Sequence, residues 1–301
     1  MRSWHSYGGH LDEVNFWRPL AQTGFKSLLP GEPFFFRLKH PVNAVVGYGF
    51  FAHASLLPIR MAWDAFGDRN GDRSFEGFLA RIAEYRRESP AETALGSRPV
   101  ACLILREVRF LPENDWVHWG EEPNFQKNIV AYKGYDLATG PGVILADLLR
   151  NRSPAELVPM FEPVGGDERL RSELVGVMRE GQGSFRVRVL DAYERRCAVT
   201  GERSLPVLDA AHIQPYLGAA SNHIQNGLSL RADIHRLFDV GYVTVTPDYR
   251  FEVSRRLRED FENGEPYYQL AGARLVVLPR EESKRPSRRV LEWHASNVFC
   301  G

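Results

Sequence analysis

The chain has 301 residues, enough for two domains that each bury a core. Hydrophobic residues make up 44% and charged residues 25%, the balance of an ordinary folded protein and not of a disordered or fibrous one. Lys plus Arg and Asp plus Glu cancel at 38 each, so any phosphate-binding surface has to come from local clusters and not from bulk charge.

No apolar run approaches the roughly 18–20 residues of a membrane span. The opening stretch Met1 to His10 lacks the apolar core of a signal peptide. Cys102, Cys197 and Cys300 are odd in number and far apart, with no CxxC spacing, which argues against a disulfide framework and against a structural zinc ribbon. A reduced, cytoplasmic protein with no membrane partner is expected.

Residues 11–149 read as one α+β domain. Phe34 to Lys39 and Ala44 to Ala52 are β-rich runs joined by the turn signal His40-Pro-Val-Asn43. Gly47 and Gly49 would weaken a strand interior, so a bulge or a close backbone approach is expected there. A helix follows near Leu57 to Phe66, with a proline close to its start and Gly67 just past its end. Ser74 is placed to cap a second helix, Phe75 to Arg87, whose stripe is Phe75, Phe78, Leu79, Ile82 and Tyr85. Pro99 to Leu105 is an expected buried strand. The polar loop Asp115 to Pro123 carries Trp116 and Trp119, which serve either as lids on the core or as stacking surfaces for a flat ligand such as a flipped base.

Between residues 151 and 183 the texture changes. Pro154, Pro159, Pro163 and the Gly pairs 165/166 and 181/183 bracket one short charged helix, 168–179, as in an interdomain connector. Ser184 then opens an expected helix from Phe185 to Arg196. Strand-like runs follow at Tyr242 to Thr246, Arg250 to Ser254 and Leu275 to Pro279, with a terminal helix within 286–299. Basic clusters lie at Arg186/Arg188, Arg195/Arg196, Arg255/Arg256/Arg258 and Lys284/Arg285/Arg288/Arg289. Each alone reads as a solvated face, and together they make a phosphate-tracking surface plausible.

The chemistry concentrates between residues 207 and 239. An apolar run, Leu205 to Ala211, ends at His212. A loop of polar and small residues leads to Asn226-Gly227, a short strand, and a helix from Ala232 to Phe238. On that helix His235 and Asp239 stand i, i+4, about 5–6 Å apart at Cβ, where both can bind one hard or borderline cation. Strand alternation points Asp209 and His212 to opposite faces unless a twist or bulge relaxes it. Phosphodiester hydrolysis needs a base to deprotonate water and a cation to offset charge on the phosphorane and leaving oxygen. One neutral His held by a backbone or Asn oxygen supplies the first, and a His/Asp site supplies the second.

The elements Ala-His212-Ile-Gln-Pro215, Asn226-Gly-Leu and His235-Arg-Leu-Phe-Asp239 resemble the HNH, or ββα-metal, signature of bacterial restriction endonucleases over residues 185–255. The resemblance implies His212 as general base and Asn226 as the brace of the metal loop. His235 and Asp239 become the helix-borne ligands of a divalent metal, Mg²⁺ or Mn²⁺. Many members place a ligand immediately before the base, where this chain has Ala211, and Asp209 is the nearest substitute. The family's paired CxxC knuckles are missing, so no structural zinc is expected. The catalytic set is then His212, Asn226 and His235, the metal set Asp209, His235 and Asp239, and the DNA-backbone contacts Arg195, Arg196 and Arg236.

Residues 10–150, through Asn15-Phe-Trp-Arg-Pro19, Gly31 to Phe36 and Val45 to Phe51, resemble PUA-superfamily readers of the SRA, EVE or ASCH type. That resemblance implies a curved β-barrel with helices and a flipped-base pocket at Phe50, Asp115, Trp116 and Trp119. The expected arrangement is a reader at 1–150, a linker at 151–183 and an HNH domain at 184–301. The expected function is cleavage of double-stranded DNA carrying modified cytosine, such as 5-methylcytosine or 5-hydroxymethylcytosine, by a homodimer. The alternatives are an HNH nuclease indifferent to base modification and a DNA-binding module on an inactive HNH scaffold.

Overall fold

A computed structural model describes residues 10–19, 25, 27–95, 98–118, 133–140, 142–150, 181–216 and 219–301. The chain divides into two compact units, Met1–Glu156 and Leu157–Gly301. No helix among the described residues is long and apolar enough to cross a membrane.

In the first unit the elements are β1 (His10–Arg18), β2 (Pro33–Arg37), β3 (Ala44–Leu57), α1 (Ile59–Phe66), α2 (Phe75–Arg86), α3 (Pro90–Leu95), β4 (Val100–Phe110), β5 (Val117–His118) and α4 (Gly142–Arg150). The strands form one antiparallel sheet in the order β1-β4-β3-β2, with β5 paired to the start of β3. Val14, Phe36, Val46, Phe51, Leu105 and Phe110 pack as its core. The curved barrel expected from the sequence is not shown among the described residues. Among the described residues the edge strands β1 and β2 are not paired with each other. Bulges interrupt β3 between Tyr48 and Phe50 and between Phe51 and His53, which bends the strand without closing the sheet.

The glycines of β3 have a direct cause. A Cβ on Gly47 would lie 2.4 Å from the Arg109 carbonyl oxygen, and one on Gly49 would lie 2.8 Å from Val108 Cγ2. Neighbouring β4 leaves no room for a side chain at either position. The helix signals also correspond to structure: Ser74 Oγ accepts a hydrogen bond from Gly77 N at 3.1 Å, and Gly67 follows α1 with positive φ. Phe78 and Ile82 are fully buried, whereas Tyr85, at the end of the expected stripe, is 64% exposed.

The second unit contains α5 (Gln182–Ala192), β6 (Leu208–His212), β7 (Gly227–Arg231), α6 (Ala232–Asp239), β8 (Val243–Val245), β9 (Phe251–Val253), α7 (Arg256–Phe261), α8 (Glu265–Tyr268) and α9 (Arg288–Asn297). Strands β6 and β7 form an antiparallel hairpin, and α6 follows without a loop. Helix α5 packs on both strands of the hairpin, and α9 packs on β8. The core is built from Phe185, Val189, Leu190, Leu208, Ala211, Leu228, Leu230, Ile234, Phe238 and Leu291.

Two expectations are corrected here. Ser184 does not cap a helix; α5 begins earlier, after Gly181 at φ 71°, and Ser184 lies inside it with Oγ donating to the Gly181 carbonyl. Leu275 to Pro279 does not form a strand; Val276 N and Val277 N both reach the Ala198 carbonyl, and only Arg274 makes an isolated bridge, to Arg250. The run Leu205 to Ala211 becomes a strand only from Leu208, because Pro206 has no N–H for a ladder and sits in a 3-10 turn. The expected connector helix at 168–179 lies outside the described residues.

Candidate active site

The hairpin register is unbroken, from Leu208 opposite Arg231 to His212 opposite Gly227. Asp209 therefore sits near the start of β6 and His212 at its end, with no bulge to bring them to one face. Each has its own set of partners. Gly227 lies where α5 presses on the hairpin. A Cβ there would be 2.4 Å from Val189 Cγ2 and 3.1 Å from the Phe185 ring.

His212 is held on three sides. Its Nε2 is 2.9 Å from Asn222 Oδ1. Its ring lies flat on Phe185, with centroids 4.0 Å apart and planes 12° from parallel. Tyr216 meets it edge-on at 6.3 Å and 77°.

Asn226 is fully buried and braces the loop between the strands. Its Oδ1 accepts from Gln214 N at 2.8 Å. Its Nδ2 donates to the Gln214 carbonyl at 3.0 Å and to the Ser221 carbonyl at 2.9 Å. Both amide protons are thereby used within the loop.

At the other end of β6, Asp209, His235 and Asp239 come together. Asp209 Oδ2 is 3.4 Å from His235 Nδ1, and Asp239 Oδ2 is 3.4 Å from His235 Nε2. Arg186, from α5, donates to Asp209 Oδ1 at 2.8 Å and to the Leu208 carbonyl at 2.7 Å. The hydrogen bond from His235 holds the Asp209 carboxyl down, at about 2, against the opposing effect of burial and with further help from Arg186. Burial pulls His235 down, but its hydrogen bond to Asp209 and the charges of Asp239 and Asp209 outweigh that, so its pKa is raised. His235 thus stands between two carboxylates, one near each ring nitrogen.

Residues 197–246 match the HNH endonuclease family model. The match spans β6, β7, α6 and β8, the segment that carries His212, Asn226, His235 and Asp239. No curated protein matches the chain.

HNH nucleases generally use a divalent metal. One nitrogen and two carboxylates form a donor set that suits a hard or borderline divalent ion. Among the described residues, however, no group of three His, Cys, Asp or Glu is arranged as a ready cage. The two carboxylates flank His235, one on each ring nitrogen, instead of converging. The Asp239 side chain is 56% exposed.

Two contacts to these side chains come from outside the matched segment. Phe185 under His212 and Arg186 on Asp209 both come from α5, which precedes the matched residues. Neither was singled out from sequence as a site residue. Asn222 was also missed, and the signal for it was the general need of a neutral His for an oxygen partner. Of the expected backbone contacts, Arg195 pairs with Asp191 at 3.0 Å, and Arg196 is partly buried beside Gly201. Arg236 is exposed on α6 next to His235.

Three of the four expected base-pocket residues lie among the described residues. Phe50 is 8% exposed and meets Tyr48 edge-on. Trp116 packs against the first unit's core and donates its indole N–H to the Leu111 carbonyl at 3.0 Å. Asp115 is exposed in a 3-10 turn. Strand β5, adjoining Trp116, pairs at Val45, five residues along β3 from Phe50 and so roughly 15 Å away. Trp119 lies outside the described residues.

Proposed function

We propose that this chain is a metal-dependent DNA endonuclease whose second unit hydrolyses phosphodiester bonds. The observation that carries the reading is the ββα arrangement, which sets His212 at one end of a strand and Asp209, in contact with His235, at the other. His212 serves as the general base that takes a proton from the attacking water. Asp209, His235 and Asp239 would hold the divalent ion, which when bound supplies positive charge to offset the phosphorane and the leaving oxygen. Asn226 keeps the intervening loop in shape, and exposed Arg236 offers a phosphate contact beside the helix-borne ligands.

The finer reading is that the first unit admits DNA carrying modified cytosine, and that two copies cut the two strands. Its support is the sequence resemblance of residues 10–150; the open sheet and the packed Trp116 add none. A second reading, a DNA-binding module without turnover, is favoured by two features: Arg186 occupies Asp209 Oδ1, and Ala211 is buried where a ligand is common.

The test is cleavage of plasmids carrying cytosine, 5-methylcytosine or 5-hydroxymethylcytosine, with Mg²⁺, Mn²⁺ or EDTA, by wild type and His212→Ala. The expected result is metal-dependent cutting, reduced about 10²–10⁴-fold in the variant. Equal cutting of all plasmids discards the modification reading and keeps the nuclease. Binding without cutting under every condition selects the inactive module.

A further inference from the structure

We infer that Asn222 is the positioning residue for the general base, fixing His212 with the proton on Nε2 so that Nδ1 carries the lone pair that takes a proton from water. The inference rests on the nuclease reading above and names a residue outside the motif that led to it.

The geometry is specific. An amide oxygen accepts and does not donate, so the 2.9 Å contact between Asn222 Oδ1 and His212 Nε2 places the hydrogen on Nε2. A neutral imidazole has one N–H, and its basic atom is then Nδ1. Asn222 has little freedom to turn. It is 4% exposed and closes the 3-10 turn Ala219–Asn222. The preceding residue, Ser221, has its carbonyl held by Asn226 Nδ2. A chain of contacts therefore runs from the buried brace at Asn226, through Ser221, to the oxygen that orients the base. The Phe185 face fixes the plane of the ring, and Asn222 fixes which nitrogen points where. Orienting partners of this kind typically change activity by about 10–100-fold when they are removed from metal-ligand histidines. We expect the same scale here.

The test uses the full chain with ¹⁵N-labelled histidine, and His212→Ala identifies the signal of interest. In the metal-free wild type the His212 ring is expected as the Nε2–H tautomer, with an observable, slowly exchanging N–H. Asn222→Ala should lose that N–H signal to exchange and lower kcat about 10–100-fold with KM for DNA unchanged. Asn222→Asp, which keeps the shape and the acceptor, should retain the signal. Because a carboxylate favours the imidazolium, it should move the acidic limb of the kcat profile up by about one pH unit or more. An Nδ1–H tautomer in the wild type overturns the inference, as does Asn222→Ala cutting at the wild-type rate. A wild type that shows the bound Nε2–H yet cuts no DNA with any metal overturns the nuclease reading and the catalytic role of Asn222 with it, while the geometry stands.

Discussion

Asn226 offers the sharpest separation between a residue that performs chemistry and one that holds the chemistry in place. Replacing it with Ala removes three hydrogen bonds, to the Gln214 N–H, the Gln214 carbonyl and the Ser221 carbonyl. All three groups belong to residues that are no more than 5% exposed. A net hydrogen bond contributes about 1 kcal/mol, so losing three gives an expected destabilisation of about 3 kcal/mol. For a unit of this size that corresponds to a fall in Tm of about 6–12 °C. Asn226→Asp should do no better, because its carboxylate would face two carbonyl oxygens that now receive amide protons. The assay is thermal unfolding together with amide hydrogen exchange over residues 208–239, where protection should fall first. A variant whose Tm and exchange match wild type, but which no longer cuts DNA, would refute the bracing role and return Asn226 to the catalytic set.

Other perturbations follow from single contacts. Gly227→Ala drives a methyl group into Val189 and the Phe185 ring, so a loss of about 1–3 kcal/mol is expected in urea unfolding, together with slower cutting as the ring under His212 shifts. In EDTA, the depressed Asp209 carboxyl contributes stability that is present above the unfolded value near 3.8 and is lost as pH falls towards about 2. Discounted for a side chain 34% exposed, that is about 1–2 kcal/mol, and Asp209→Asn should flatten the acid side of the stability curve; an unchanged slope sinks the assignment. Mn²⁺ at a hundredfold excess over its Kd should stabilise the wild type by about 2.7 kcal/mol, and His235→Ala should abolish the gain. Trp116→Ala should destabilise the first unit, because the indole covers the core and fills a hydrogen bond; lost affinity for modified DNA at wild-type Tm would instead identify a stacking surface.

What could be read from the sequence was what short-range rules govern. The i, i+4 pair His235 and Asp239 meets at 3.4 Å, as helix spacing requires. Asn226-Gly227 marks the entry into β7, and the cause at Gly227 is close packing against α5. Gly47 and Gly49 announce the approach of β4. The partners of these elements could not be read. Asn222 lies ten residues from His212 across an irregular loop, and Arg186 reaches Asp209 over 23 residues. Neither spacing carries a periodicity. Barrel closure likewise depends on which edges meet across the whole first unit, and the aromatic texture of β2 and β3 is equally compatible with an open sheet.

Helix α5 ties the two ends of the site together. Consecutive residues on a helix diverge by about 100°. Phe185 and Arg186 use that divergence: the first turns its ring under His212, and the second reaches back to Asp209 and the Leu208 carbonyl. The hairpin is only five residues long on each strand, so its ends are close enough for one helical turn to touch both. The fit depends on Gly227, whose missing side chain lets Val189 and Phe185 sit against β7. A displacement of α5 therefore moves the ring beneath His212 and the guanidinium beside Asp209 together, although those groups belong to opposite ends of the strand. The segment that matches the HNH model, starting at Cys197, supplies Asn222 and Asn226 to this geometry, while Phe185 and Arg186 reach it from α5, outside the match.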